Sequence, residues 1–239
     1  MRSRFKSVIG NSRIFSLIWR IRVGGILLAA FALWVFAQIA DEVLEKESYA
    51  FDTRVLLAIR RIHTTLLDQA MMGITFIGDP SVLLVVSVGV GIWLLQQKRR
   101  ASAATLALGA LGAIGLNVLL KHLFGRARPA LWNHIVDVGQ YSFPSGHAMV
   151  SLVIYGLIGY ILTTKFPQQQ KLIITLTVIL IVAIGFSRLY LGVHWPTDVL
   201  AGYAAGLVWL IACILSLKVW RKYRLARNRL KDNVTKTQR

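Results

Sequence analysis

Charge is scarce in this 239-residue chain: Asp, Glu, Lys and Arg make up 16% of it, against 56% apolar residues and a mean hydropathy of +0.60. That leaves too little polar surface to coat a water-soluble globule, and it excludes a disordered chain as well. Acids are scarcer still, with 10 Asp and Glu beside 28 Lys and Arg and a formal net charge of +18. Such a balance ordinarily raises nucleic acid first. Here the cations gather at the ends of apolar runs instead of lining one face of a domain, so no nucleic-acid partner is expected. The single cysteine, Cys213, excludes an intramolecular disulfide framework, and the five prolines exclude a collagen-like repeat. Internal repeats and low-complexity segments are absent too. These exclusions leave an integral membrane protein.

A hydrocarbon core of about 30 Å takes roughly 17–25 apolar residues in helix. Uncharged runs on that scale occupy 23–40, 80–97, 101–120, 148–164, 172–187 and 199–217. The fifth is short and borrows Lys171 as a snorkelling flank. Each is read as a helix, because a lone strand in lipid leaves its backbone groups unpaired, and the runs are continuous where a barrel strand alternates. The expected fold is therefore all-α, an integral membrane bundle of six transmembrane helices. Between the first two, Val55, Ile59, Ile62 and Leu66 recur at helical spacing, with Arg54, Arg61 and Asp68 among them. That predicts an amphipathic interfacial helix over about 51–74, either lying in the outer interface or packing on the bundle.

Cation counting sets the orientation. The segment before the first span, the loops holding Lys98, Arg99, Arg100, Lys165 and Lys171, and the segment after the sixth span together carry twenty cations and one acid. The opposite side carries eight cations and nine acids. Both termini are thus expected in the cytoplasm of a bacterial inner membrane, with a basic segment at 1–22, the membrane unit at 23–217 and a basic tail at 218–239. The first run is long for a signal-peptide core and is followed by no clean cleavage site, so it is read as retained. Gly109, Gly112 and Gly115 in span three and Gly202 and Gly206 in span six permit close helix contact, most simply for internal packing. Oligomeric state is not legible.

Ionisable residues at a bilayer are costly and mark function. Three clusters stand at span ends, all on the outer side by the same counting: Lys121 to Pro129, then Pro144-Ser145-Gly146-His147, then Ser187-Arg188 through His194 to Asp198. Lys121, Arg128 and Arg188 supply enough positive charge to neutralise a phosphate dianion. Ser145 and Gly146 open a helix and present a hydroxyl and free N–H groups, an anion site. Asp198, four residues after His194, can fix that imidazole's tautomer and leave its other nitrogen as a nucleophile. His147, from a different helix, can protonate a leaving oxygen. Nucleophile, orienter, acid and anion cradle together suit phosphoryl transfer.

Taken singly, each of these residues is ordinary at a span end; their concentration at four span ends on one side is not. His122 and His134 lack a partner at useful spacing and are read as solvated or interfacial. His63 belongs to the amphipathic segment, and Arg126 is read as a supplementary headgroup contact. Near the clusters the acids are only Asp137 and Asp198, too few for a two-metal site, so no metal or other cofactor is expected.

These residues resemble the signature of the type-2 phosphatidic acid phosphatase (lipid phosphate phosphatase) superfamily. Its three parts, K-x6-RP, PSGH and SR-x5-H-x3-D, are met by Lys121 with Arg128 and Pro129, by Pro144 to His147, and by Ser187, Arg188, His194 and Asp198. The likeness extends over about 51–217. It implies a six-helix membrane phosphatase in which His194 attacks phosphorus, Asp198 orients it, His147 protonates the leaving group and then activates water, and Lys121, Arg128, Ser145, Gly146 and Arg188 hold the phosphate. The implied substrates are membrane lipid phosphates or diphosphates, undecaprenyl diphosphate and phosphatidylglycerol phosphate foremost. Vanadate-dependent haloperoxidases share the signature but are soluble and larger, and glucose-6-phosphatase-like enzymes have more spans. The alternative of another class is a non-catalytic lipid-headgroup binding or transport protein using the same cations.

Overall fold

In a computed structural model, residues 2–132 and 139–237 are described, and side-chain environments are described for 23–132, 139–221 and 223. Among these, the regular structure is helical: α1 (Arg2–Leu44), α2 (Tyr49–Arg60), α3 (Thr65–Ile77), α4 (Pro80–Gln96), α5 (Arg100–Phe124), α6 (Gly146–Lys165), α7 (Gln170–Tyr190) and α8 (Pro196–Thr237), with a 3₁₀ turn at Pro167–Gln169 before α7. Five helices are long and apolar enough to cross a membrane by themselves. A sixth crossing is made by α3 and α4 together, bent by 48° at Gly78-Asp79. The chain is a multi-pass, all-helical membrane protein.

The bent crossing has a local cause. Pro80 stands at the first position of α4, and the Asp79 carboxylate accepts from the Ser81 N–H at 2.9 Å, so a new helix starts where α3 would otherwise run on. The segment read as one interfacial helix over 51–74 is accordingly two. Thr64 caps α3 by accepting from the Leu67 N–H at 3.3 Å, and the Tyr190 hydroxyl accepts from the Thr64 N–H while donating to Asp68 at 2.7 Å. The buried face of α2 also differs from the periodicity: Asp52 and Leu56 are fully buried, whereas Ile62 and Leu66 are 52% and 79% exposed. A carboxylate on the inward stripe is what hides that stripe from an apolar pattern.

α6 lies at the centre, packed on α5, α7 and α8, while α1 packs on α8 and α4 on α5. Leu106, Ala113, Val153, Ile154 and Leu157 form the core between α5 and α6. Large apolar side chains such as Phe31, Val85, Leu111 and Val182 remain on the outside, as lipid-facing residues do at no cost. Because hydrocarbon gives no hydrophobic drive between helices, close backbone approach matters more. A Cβ on Gly202 would sit 2.7 Å from the Ser145 carbonyl oxygen, and one on Gly206 would sit 2.9 Å from that of Met149. The ring of Trp209 occupies the space over Gly112, and its indole N–H donates to the Gly109 carbonyl at 3.0 Å. Gly115, by contrast, faces open space.

Gly202→Ala should therefore push α6 and α8 apart where α6 begins, costing about 1–3 kcal/mol as overpacking does. Gly115→Ala should stay within about 1 kcal/mol of the parent. Thermal unfolding of the two variants in the same detergent checks the contrast.

Candidate active site

The span ends singled out by the sequence meet at one end of the bundle. α5 and α7 arrive there carrying Lys121 and Arg188 in their last turns, and α6 and α8 depart from it at Gly146 and Pro196. Cations at the outgoing carbonyl ends and anion-binding N–H groups at the incoming ends both follow the helix dipole. The start of α6 is tied to that of α8 by the Ser145 N–H, which donates to the Asp198 carbonyl at 2.9 Å. The Ser145 side chain caps α6, accepting from the Ala148 N–H at 3.5 Å.

His194 is 1% exposed in the turn before α8. Its Nδ1 lies 3.3 Å from Asp198 Oδ2, and its Nε2 lies 3.2 Å from Arg128 Nη1. A guanidinium can only donate, so Nε2 carries the lone pair and Nδ1 the proton, shared toward the carboxylate. Asp198 Oδ2 also accepts from the Trp195 N–H at 2.9 Å, which fixes the carboxylate plane. Burial, then the charges of Arg128, Arg188 and Lys121, push the His194 imidazole well below the usual histidine range. Arg128 itself bonds the Val193 carbonyl at 2.7 Å and the Gly139 carbonyl.

Lys121 donates to the Tyr141 carbonyl at 2.7 Å, and Arg188 to Thr75 Oγ1 at 2.7 Å, with Arg188 Nε left without a hydrogen-bond partner among the described residues. His147 lies against the α3–α4 bend: a Cβ on Gly78 would be 3.2 Å from its Cδ2. Asp79, at the same bend, feels the charges of both His147 and Arg188. Every residue of the sequence-derived set thus lies at this end of the bundle. Among the described residues, no three His, Cys, Asp or Glu side chains are grouped as metal ligands. His122 is exposed and meets Tyr141 edge-on, while His63 stacks on Tyr190 at 3.9 Å. His134 and Asp137 lie outside the described residues.

Arg126 overturns its reading as a headgroup contact. It is 5% exposed and sits between two fully buried carboxylates, donating from Nη1 to Asp198 Oδ1 and from Nη2 to Asp52 Oδ2, both at 2.7 Å. Thr197 and Ser48 accept from the same guanidinium at 2.8 and 3.0 Å, and the Tyr49 and Trp195 rings flank it at 5.1 and 5.5 Å. Thr197 also donates its hydroxyl and its N–H to Asp52, at 2.6 and 3.1 Å. Burial works against the charge of Arg126, but Asp198 and Asp52 outweigh it and hold the guanidinium charged. Gly125 makes this possible: with φ at 57° it ends α5 in the left-handed region and turns the chain inward.

Four functional neighbours escape the sequence reading: Asp52, Thr75, Arg126 and Asn117. Asn117 lies one turn before Lys121, is buried, and donates to the Pro144 carbonyl at 3.2 Å, holding the turn that opens α6. Its signal is an amide inside an apolar span. Arg126→Ala should leave two buried carboxylates unpaired and cost about 3–5 kcal/mol. Arg126→Lys should recover little of this, because an ammonium has no planar fork to bridge both acids. His122→Ala, at an exposed position, should stay within about 0.5 kcal/mol. Unfolding midpoints in detergent check all three.

Comparison with known proteins agrees with this geometry. A family model described as the PAP2 superfamily matches residues 102–222. Phosphatidylglycerophosphatase B of Bacillus subtilis is 32% identical over 188 residues, covering 77% of this chain and 86% of that protein. An undecaprenyl-diphosphatase of Sulfolobus acidocaldarius is 27% identical over 166 residues, covering 67% of this chain and 76% of its own. Among solved structures, a transmembrane PAP2-type phosphatidylglycerolphosphate phosphatase from Bacillus subtilis superposes with a TM-score of 0.74 at 28% identity, covering 82% of this chain and 96% of that one.

Proposed function

Because the chain belongs to the PAP2 superfamily, we propose that it hydrolyses a lipid phosphate or diphosphate through a phosphohistidine on His194, without a metal. Undecaprenyl diphosphate and phosphatidylglycerol phosphate are the foremost substrates, being those of relatives similar over most of the chain. The observation that carries the reading is the setting of His194: one nitrogen is held by Asp198, and the other turns its lone pair toward Arg128 in a cluster with Lys121 and Arg188.

In this reaction the phosphate takes the place facing Arg128, and Lys121, Arg188, Arg128 and the N–H groups around Ser145 and Gly146 hold its oxygens. His194 Nε2 bonds to phosphorus as the bond to the leaving oxygen breaks, and His147 gives that oxygen its proton. Water then attacks phosphorus, His147 takes the water's proton, the P–N bond breaks and inorganic phosphate departs. Asp198 keeps the proton of His194 on Nδ1 throughout and steadies the positive charge of the ring in the intermediate. Charge developing on the equatorial oxygens meets fixed cations in a site shielded from bulk water, where such contacts act most strongly. The cation asymmetry supports cytoplasmic segments at 1–22 and 218–239 and a phosphatase unit at 23–217 whose site opens at the outer leaflet of a bacterial inner membrane.

Phosphate release from both lipids in detergent micelles, with EDTA present, tests the proposal. The parent should be active and unaffected by EDTA, and His194→Ala should lose about a thousandfold or more. Acid quenching of labelled substrate should trap an acid-labile, base-stable phosphohistidine in the parent. Lipid binding without phosphate release would instead make this a headgroup-binding or transport protein.

The pH dependence follows from the same neighbours. Neutral His194 is the attacking form, and its depressed pKa keeps it neutral below the ordinary value of about 6.5. Removing a nearby cation favours the imidazolium, so Arg128→Gln should move the acid limb of kcat/KM upward, on top of its loss of rate. Parent and variant compared on one substrate cancel the substrate's own ionisation. An unmoved limb would separate His194 from that ionisation.

A further inference from the structure

α4 and α5 part along their lipid side and leave a hollow of about 540 Å³ that extends from Pro80 to Leu95. At 1.5 Å per residue that is about 22 Å, most of the depth of a hydrocarbon core of about 30 Å. Its walls are apolar and its space comes from small residues, Gly91 on α4 facing Ala107 and its alanine neighbours on α5, with Ile154 of α6 as the floor. The outer end is the significant one. Pro80 follows directly on the Gly78-Asp79 bend, Gly78 backs His147, and the Tyr155 hydroxyl fastens α6 to the end of α3 by donating to the Ile77 carbonyl at 2.8 Å. The hollow therefore begins beside the catalytic cluster and descends into the bilayer.

A second hollow, about 610 Å³, lies among α6, α7 and α8 and reaches from Leu152 and Ile181 to Thr164 and Gln170. It does not lead to the cluster. Tyr203 fills the space over Gly185 at its upper end, with its hydroxyl donating to the Ile181 carbonyl at 2.7 Å. Of the two, only the α4–α5 hollow is continuous with the site.

We propose that the α4–α5 hollow is the tail-binding subsite: it takes one hydrocarbon chain of the lipid whose phosphate occupies the cluster, and so sets the preference for chain length. This rests on the phosphatase reading above. Inside a bilayer a chain gains nothing by leaving lipid for an apolar groove, so the groove acts through packing and alignment. A chain lying along α4 enters the site from the Pro80 end and delivers its phosphate beside His147. Binding energy from the unreactive tail then appears as reaction rate, and truncated lipids lose it.

Gly91 and Gly89 make a matched pair for the test. A Cβ at either has open space around it, but only Gly91 lines the hollow. Full-length Gly91→Trp, Gly89→Trp and Val178→Trp, the last in the second hollow, are assayed with undecaprenyl diphosphate, dioleoyl phosphatidate and the short-chain dihexanoyl phosphatidate. Gly91→Trp should lose about tenfold or more in kcat/KM on the long-chain substrates while staying within about twofold on the short one, as expected for a blocked apolar pocket. The other two variants should keep the parent's ratio of long-chain to short-chain activity. Equal loss on all substrates at Gly91, no loss at all, or a changed ratio in Val178→Trp would overturn the subsite while leaving a phosphatase. A parent inert on every substrate would overturn the phosphatase reading, and the subsite with it.

Discussion

A carboxylate taken out of water costs several kcal/mol unless a charge of opposite sign comes with it and its lone pairs are met by donors. Asp198 meets that condition through Arg126, which gives one fork to Asp198 and the other to Asp52. With Oδ1 committed to the guanidinium, Oδ2 is left for the Trp195 N–H and His194 Nδ1. The imidazole's tautomer, its tilt and the outward direction of Nε2 follow from that division of labour. Asp52 in turn anchors α2 to the first turn of α8 through Thr197, so the helix between the first two crossings is fastened to the catalytic turn. A guanidinium suits this post because it stays charged when buried and bridges two planar acids at fixed angles.

The other cations are placed differently. Lys121, Arg128 and Arg188 are each satisfied in part by a backbone carbonyl or a hydroxyl, namely those of Tyr141, Val193 and Thr75, and none of the three is paired with a carboxylate within salt-bridge distance among the described residues. Positive charge held by neutral acceptors is available to an incoming anion, whereas the charge of Arg126 is spent. The cluster thus divides into a neutralised frame and a cationic face, with His194 at their boundary. That division lets a phosphate bind without dismantling the contacts that orient the nucleophile.

Much of this was legible in the sequence, for reasons that differ from part to part. Spans of this length announce themselves by composition, because lipid forbids charge along the whole segment. The signature residues are legible because each sits at a span end, where an ionisable side chain contrasts with its surroundings. Asp52 and Arg126 were not, because their pairing joins positions 74 residues apart and each looks ordinary alone. Asp52 stands where periodicity would place an apolar residue, one turn before Leu56, and so shifts the inferred buried face of α2. Thr75 was hidden because the helix carrying it, α3, was read as part of an interfacial segment, whereas it joins α4 in a bent crossing. The break itself was written in Asp79-Pro80, a cap followed by a first-turn proline.

The remaining constraint is how closely two helix beginnings can approach. α6 and α8 both start at the site, and each directs unpaired N–H groups and the positive end of its dipole at the same space. Such ends repel one another unless an anion lies between them, and neighbouring cations add to the repulsion. Two features hold the pair together in the absence of substrate. The Ser145 N–H is turned onto the Asp198 carbonyl, and Gly202, one turn beyond Asp198, lets the backbone of α6 come within contact of α8. The positive potential at this end of the bundle is therefore maintained by packing deeper in the same two helices. A phosphate entering there relieves a repulsion already built into the fold, which is why an anion binds there and why its most charged state, the transition state, gains the most.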